Sequence, residues 1–242
     1  MRFLRILFYG SLILIGIGVY AARKYDKDSV KGNGNVTKEM QTFEAFDGLR
    51  VSGAFEVVLN QGDTYAVELE ADENLHSNIR YEVSGGILEI KTEGNISRFE
   101  KMKVFVTAPA FKTIKTSGGV EISTENTLTG ESLELEASGA SKADLDVMVQ
   151  NLRTEFSGAG DVTLSGEAGK TAVILSGAGK LKAFDLKTHE MNVSISGAGY
   201  AEVNADQKLE LNVSGAGKVR YKGNPAVVNE NISGAGSVDA EE

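Results

Sequence analysis

The sequence predicts an all-β chain wound as a parallel β-helix, a solenoid of short strands with coils of about 19–20 residues. The tripeptide Ser-Gly-Ala opens at Ser138, Ser157, Ser176, Ser196, Ser214 and Ser233, and a degenerate Ser-Gly-Gly opens at Ser117. The intervals are 21, 19, 19, 20, 18 and 19 residues, a near-fixed period that marks a repeat architecture. Apolar and polar residues alternate on both sides of each glycine word, which is the period of a strand and not of a helix. Glycine is plentiful at 28 residues and proline scarce at 2, a balance that suits many tight turns between regular strands.

The chain opens with a separate segment, residues 1–24. Arg2 and Arg5 precede an uncharged run of 17 residues, 6–22, and Arg23-Lys24 closes it. That is the layout of an export signal or of a short membrane anchor. The run sits at the lower limit for a span, and Val19-Tyr20-Ala21 offers the small-residue spacing of a signal-peptidase site. No polar face interrupts it, which argues against a buried core helix. Either reading places the rest of the chain outside the cytoplasm. Residues 25–41 are polar and include "KGNGN" at 31–35, and they read as a tether into a folded domain spanning 42–242.

The first part of that domain is less regular. "VSGAFEVVL" from Val51 and "VSGGILEI" from Val83 carry the same word, and Ser117 lies 33 residues beyond Ser84, so these read as enlarged N-terminal coils. Residues 71–79, with Asp72, Glu73 and Leu75, read as a short helix or long loop covering the N-terminal end of the stack, because a solenoid needs a cap. No comparable segment follows Ser233. Asp239, Glu241 and Glu242 are expected to guard that end electrostatically and keep the domain monomeric.

In the regular coils the columns can be read directly. The residue before each serine is Ala137, Phe156, Leu175, Ile195, Val213 or Ile232; five positions after it come Ala143, Val162, Leu181, Ala201, Val219 and Val238. Seven positions after it lie Leu145, Leu164, Ala183, Val203, Tyr221 and Ala240. Stacked in register about 4.8 Å apart, each column becomes a row of like side chains inside the rod. Glycine at the corner permits a positive φ or a close backbone approach, and alanine between glycines adds no bulk. Six positions after the serine stand Asp144, Thr163, Lys182, Glu202, Arg220 and Asp239, and another column runs Lys142, Asp161, Lys180. Opposite charges become neighbours there, each pair contributing roughly 0.2–1 kcal/mol.

Several chemistries are excluded or weakened. There is no cysteine, hence no disulfide, thiolate metal site or cysteine nucleophile. The formal net charge is −9, and without residues 1–24 the balance is 21 Lys+Arg against 34 Asp+Glu, which argues against nucleic acid as a partner. A phosphate loop needs a Lys-Ser or Lys-Thr ending and a helix behind it, whereas Gly160, Gly179 and Gly217 run into alternating strand residues. A calcium-binding glycine repeat needs aspartate in coil after coil, but the counterparts of Asp161 are Lys180, Tyr200, Lys218 and Ser237. A serine nucleophile needs one serine with a base, and here many equivalent serines face only His76 and His189, both expected in solvated segments. Asn-x-Ser words at Asn95, Asn192, Asn212 and Asn231 are present; the last three reflect a polar position preceding an inward one before a serine. An enzymatic alternative rests on Asp144, Lys182, Glu202 and Arg220, which share one face as charged residues do in β-helical lyases and hydrolases of acidic polysaccharides.

The stretch "KGNGNVTKEMQTFEAFDGLRVSGAFEVVLNQGDTYAVELEADENL", residues 31–75, followed by the Ser-Gly-Ala-Gly series, resembles the head GIN domain family of auto-transporter adhesins. The resemblance covers nearly everything after the hydrophobic segment. It implies a right-handed β-helix exposed in the cell envelope of Bacteroidetes or related bacteria, and it brings no catalytic residues with it. The expectation is an exported binding or structural module, an adhesin head whose partner is a glycan or a protein at the cell envelope. It has no catalytic, cofactor-binding or metal residues. The alternatives are a polysaccharide lyase or hydrolase, or a periplasmic partner in envelope assembly or stress.

Overall fold

The computed structural model describes residues 29–241, so the signal or anchor reading of residues 1–24 lies outside the described residues. Among the described residues no helix is long and apolar enough to cross a membrane.

Strands dominate. The N-terminal part holds β1 (Ser29–Lys31), β2 (Val36–Thr42), β3 (Gly48–Gly53), β4 (Glu56–Gln61), β5 (Ala66–Asp72), a 3-10 helix (Glu73–Asn78), β6 (Ile79–Ser84), β7 (Ile87–Thr92), β8 (Asn95–Arg98) and β9 (Met102–Ala108). The regular part holds β10 (Thr113–Gly118), β11 (Glu121–Thr124), β12 (Leu128–Gly139), β13 (Lys142–Gly158), β14 (Asp161–Gly177) and β15 (Lys180–Lys182). It closes with β16 (Leu186–Gly197), β17 (Tyr200–Gly215), β18 (Lys218–Lys222), β19 (Val227–Gly234) and β20 (Ser237–Ala240).

From β10 onward every ladder is parallel, and the serines stack in one column: Ser117 on Ser138, then Ser157, Ser176, Ser196, Ser214 and Ser233. The result is a β-solenoid of about seven turns with a coil spacing of about 19 residues. The inward columns are those the alternation predicts. Ala143, Val162, Leu181, Ala201 and Val219 are at most 1% exposed, and burying each larger aliphatic side chain contributes roughly 1.5–3 kcal/mol.

The glycine word is the corner that joins two strands of a coil. Gly177 has φ +112°, a conformation that side chains disfavour. Its carbonyl accepts from the Ala198 N–H of the next coil at 2.9 Å, as the Gly158 carbonyl accepts from Ala178 at 3.0 Å. Corner is therefore bonded to corner along the whole rod, and the glycines of the repeated word are scaffold.

The irregular part departs from a simple series of coils. β3 pairs directly with β10, Ser52 opposite Ser117, so the word at Ser84 is skipped in the stack. Ser84 lies instead opposite Ile87 in the antiparallel β6–β7 pair, and Gly85 and Gly86 turn the hairpin with φ +58° and +78°. Two consecutive positive φ values fit the tight turn whose twist matches a hairpin, so this Ser-Gly-Gly is a turn and not a coil corner. β7 runs parallel to β3 on the side away from β10. β9 runs parallel to β4 and antiparallel to β5, which in turn carries β2 antiparallel. The enlargement is thus an inserted antiparallel layer that covers the N-terminal end of the stack. The 3-10 helix lies in this layer, where a short helix or loop is expected, and its Leu75 is fully buried.

Residues 29–41 are not a tether. β1 pairs in parallel with β8, and β2 pairs with β5 through Val36 opposite Asp72 to Thr42 opposite Ala66. Local composition is polar because β2 lies on the outside of the layer; its backbone is held by a strand about thirty residues away in sequence. Asp72 fixes this arrangement. Its buried carboxylate accepts from the Gly34 N–H at 2.6 Å, the Glu100 N–H at 2.9 Å and the Lys101 N–H at 3.1 Å.

Candidate functional site

The residues singled out for enzymatic chemistry do not assemble into a centre. His76 is not solvated: its side chain is 14% exposed, with Nδ1 3.1 Å from Glu39 Oε2 and Nε2 3.2 Å from Thr37 Oγ1. It ties the 3-10 helix to β2. The hydrogen bond from His76, with a second from Gln41, holds the Glu39 carboxyl below its ordinary value. His189 is exposed, as expected, and meets Asp206 at 3.0 Å. Neither histidine has a corner serine as a hydrogen-bond partner.

Asp144, Lys182, Glu202 and Arg220 do lie in one column. Two of them are engaged in a structural network. Arg220 donates through Nη1 to Glu202 at 2.7 Å and to the Tyr200 hydroxyl at 3.1 Å, and through Nε to Glu241 at 2.5 Å. Tyr200 donates to Glu202 at 2.6 Å, and the guanidinium sits 5.5 Å from the Phe184 ring centroid. Of the opposite charges expected to pair in the two columns, Glu202 and Arg220 do so, while Lys142 and Asp239 take other partners. Lys142 pairs with Glu121 of the preceding coil, and Lys218 pairs diagonally with Asp239 at 3.0 Å. Asp239 and Glu241, expected as guards of the C-terminal end, are therefore bound sideways to the preceding coil. Among the described residues no group of three or more His, Cys, Asp or Glu could hold a metal ion.

A hollow of about 240 Å³ lies beside His189 and Asp206; a larger concave surface lies on the face formed by the outward residues leading up to the corner serine. A groove of about 670 Å³ crosses β12, β13, β14, β16 and β17. Its walls carry Arg153, Lys170, Glu190, Lys208 and Glu210, and its floor is Leu133, Leu152, Thr171 and Met191. The charges largely answer one another: Lys170 meets Glu190 at 3.2 Å, Lys208 meets Glu210 at 2.7 Å, and Arg153 meets Glu134 at 3.4 Å.

Beside it, on the same face, hollows of about 250 Å³ and 240 Å³ follow the serine column. The column two positions before the serine changes character along the rod. Arg50, Lys115, Glu136 and Glu155 stand at the N-terminal end; Ile174, Ser194, Asn212 and Asn231 follow. The charged half is satisfied internally, with Lys115 and Glu136 at 2.8 Å and Arg153 and Glu155 at 2.9 Å. The neutral half is not. Among the described residues the exposed side chains of Asn212, Asn231, Ser196, Ser214 and Ser233 have no hydrogen-bond partner.

These side chains form a fixed grid, with rows about 4.8 Å apart along the rod and about 6.6 Å apart along each strand. Each amide supplies two donors and an acceptor, and each hydroxyl a donor and acceptors. Among the described residues no aromatic ring lines the groove or the hollows, so this face offers hydrogen-bonding groups and no stacking platform. The Asn-x-Ser words do carry the signal of this grid: Val213 and Ile232 occupy the inward column, leaving asparagine and serine outward on either side.

A family model described as "putative auto-transporter adhesin, head GIN domain" matches residues 45–225. The chain belongs to this head GIN domain family. Solved structures with the same fold include an adhesin, described as putative, from Bacteroides fragilis, 23% identical with a TM-score of 0.84. An adhesin so described from Parabacteroides distasonis is 28% identical with a TM-score of 0.69. A protein from the same organism described as a putative lipid-binding protein is 21% identical with a TM-score of 0.74. Each match covers 88% of this chain and 100% of the other. No curated protein matches the chain. In this head GIN domain the Asn/Ser grid lies mostly within the matched span, with Asn231 and Ser233 beyond it.

Proposed function

We propose that this head GIN domain is an exported binding module of the cell envelope that holds an extended, hydroxyl-rich ligand, a glycan chain, against the Asn/Ser grid. The observation that carries this reading is the set of unpaired outward amides and hydroxyls at Asn212, Asn231, Ser196, Ser214 and Ser233. Each bond to an exposed group contributes only roughly 0.5–1.5 kcal/mol, so useful affinity requires many of them at once, which a rigid grid on a rod supplies. The acidic balance of the chain disfavours polyanions, nucleic acid among them. The membership of an adhesin family and the leader-like residues 1–24 support placement outside the cytoplasm.

The test is binding of a panel of neutral polysaccharides to the parent and to the triple variant Asn212→Ala, Ser214→Ala, Asn231→Ala. Loss of about 10- to 100-fold in affinity for one polymer is expected from three hydrogen-bonding groups. Equal binding by parent and variant, or no binding by the parent, overturns the assignment of this face. Protease added to intact cells checks placement: cleavage agrees with a surface adhesin, and full protection favours a periplasmic module.

A further inference from the structure

The residue three positions before each corner serine points into the core. Leu49, Ile114, Leu135, Thr154, Val173, Val193 and Leu211 are all buried there. In the last described coil the ladder places Glu230 on Leu211 in that same column. A carboxylate thus occupies an inward position that elsewhere takes an aliphatic residue or threonine. Its inward neighbours on β19, Val228 and Ile232, are 36% and 40% exposed. Among the described residues β19 pairs only with β17 and β20 only with β18.

Such an edge offers unpaired backbone donors and acceptors over apolar side chains, a template for another strand. The opposite end of the stack is covered by the β6–β7 hairpin and the β2–β5–β9 layer. A second copy would therefore meet this chain end to end, β19 edge against β19 edge, and would close both Glu230 carboxylates into one dry interior. A buried carboxylate without a partner is strongly unfavourable, and two facing each other more so. Asp239 and Glu241 do not serve this purpose, since Lys218 and Arg220 hold them on the outer face.

We propose that Glu230 is an inward-facing guard that keeps the C-terminal end of the solenoid from accepting a second copy of this chain. The test is the mass of the full chain in non-ionic detergent, followed by sedimentation equilibrium over a concentration series, for the parent, the single variants Glu230→Leu and Ile232→Asp, and the double variant Glu230→Leu, Ile232→Asp. With the column made apolar, association should begin at a concentration at least about tenfold lower than in the parent, and Ile232→Asp should reverse it. An unchanged mass for Glu230→Leu overturns the proposal. So does an increase that survives Ile232→Asp, because the contact then lies elsewhere. A parent that is already associated and is dispersed by Ile232→Asp alone also overturns it, because the end is then an open interface. Circular dichroism of each variant confirms that the fold persists.

Discussion

The position a Cβ atom would take on Gly177 lies 2.5 Å from the carbonyl oxygen of Gly158 in the neighbouring coil. That oxygen is bonded to the Ala178 N–H and cannot withdraw without breaking the corner. Two residues on, the equivalent position at Gly179 is 3.4 Å from the Gly160 oxygen, an ordinary contact, and its φ is not positive. Gly177→Ala should therefore destabilise by about 3 kcal/mol, from strained φ and collision together. Gly179→Ala should cost less than about 1 kcal/mol. Chemical denaturation of both variants checks this, and equal losses would mean that the two glycines of the word share one role.

The inward register makes a sharper contrast between adjacent residues. Leu181 is fully buried, while Lys182 beside it is exposed. Leu181→Asp places an unpaired charge inside the stack and should cost about 4 kcal/mol or more. Lys182→Ala should stay within about 0.5 kcal/mol of the parent. Similar thermal midpoints for the two would contradict the alternation.

How far the molecule could be read from its letters depends on how local its contacts are. From Ser117 onward each coil repeats the last, so a column in the sequence is a column in space, and Leu181, Lys182 and the corner glycines could be placed by counting. The Ser84 word misleads because identical letters serve two geometries: at Ser117 the glycine meets a stacked neighbour, at Ser84 it closes a hairpin. Residues 29–41 read as a tether because the partners of β2 lie in β5, with no repeat to announce them. His76 is half-buried against β2, a contact that no spacing in the chain reveals. The Asn/Ser grid was legible as register. Its unpaired state was not, because pairing of side chains such as Lys115 and Glu136 depends on which coils adjoin.

The network around Arg220 predicts a local effect without a global one. Its guanidinium reaches Glu241, Tyr200 and Glu202 at once, and Glu241 is further held through its N–H to the Tyr221 carbonyl at 2.7 Å. Arg220→Ala should speed amide hydrogen exchange in residues 238–241 while changing the thermal midpoint little, since half-buried ion pairs that solvent still reaches contribute little to global stability. Arg220→Lys should not restore protection, because a compact ammonium cannot bond three partners in that fork. Full rescue by lysine would reduce the network to simple charge attraction.

Asp72 gives the N-terminal layer a pH dependence of defined sign. Burial pushes its carboxyl up, but the N–H groups of Lys101, Gly34 and Glu100 outweigh burial and hold it below the ordinary carboxylate value. In the unfolded chain it takes up its proton near pH 4. The stabilisation is therefore complete above about pH 4 and is lost as pH falls through the lower folded value. Asp72→Asn keeps one acceptor but turns an amide NH₂ toward N–H donors, leaving backbone groups unpaired at a cost of roughly 1–3 kcal/mol near neutrality. The gap in thermal midpoint between parent and variant should be widest at pH 6 and should narrow toward pH 3, where the parent loses what the variant never had. Differencing the two removes the other carboxylates from the profile. A gap that stays constant across this range would show that Asp72 acts through shape alone, and one that widens toward low pH would reverse the sign.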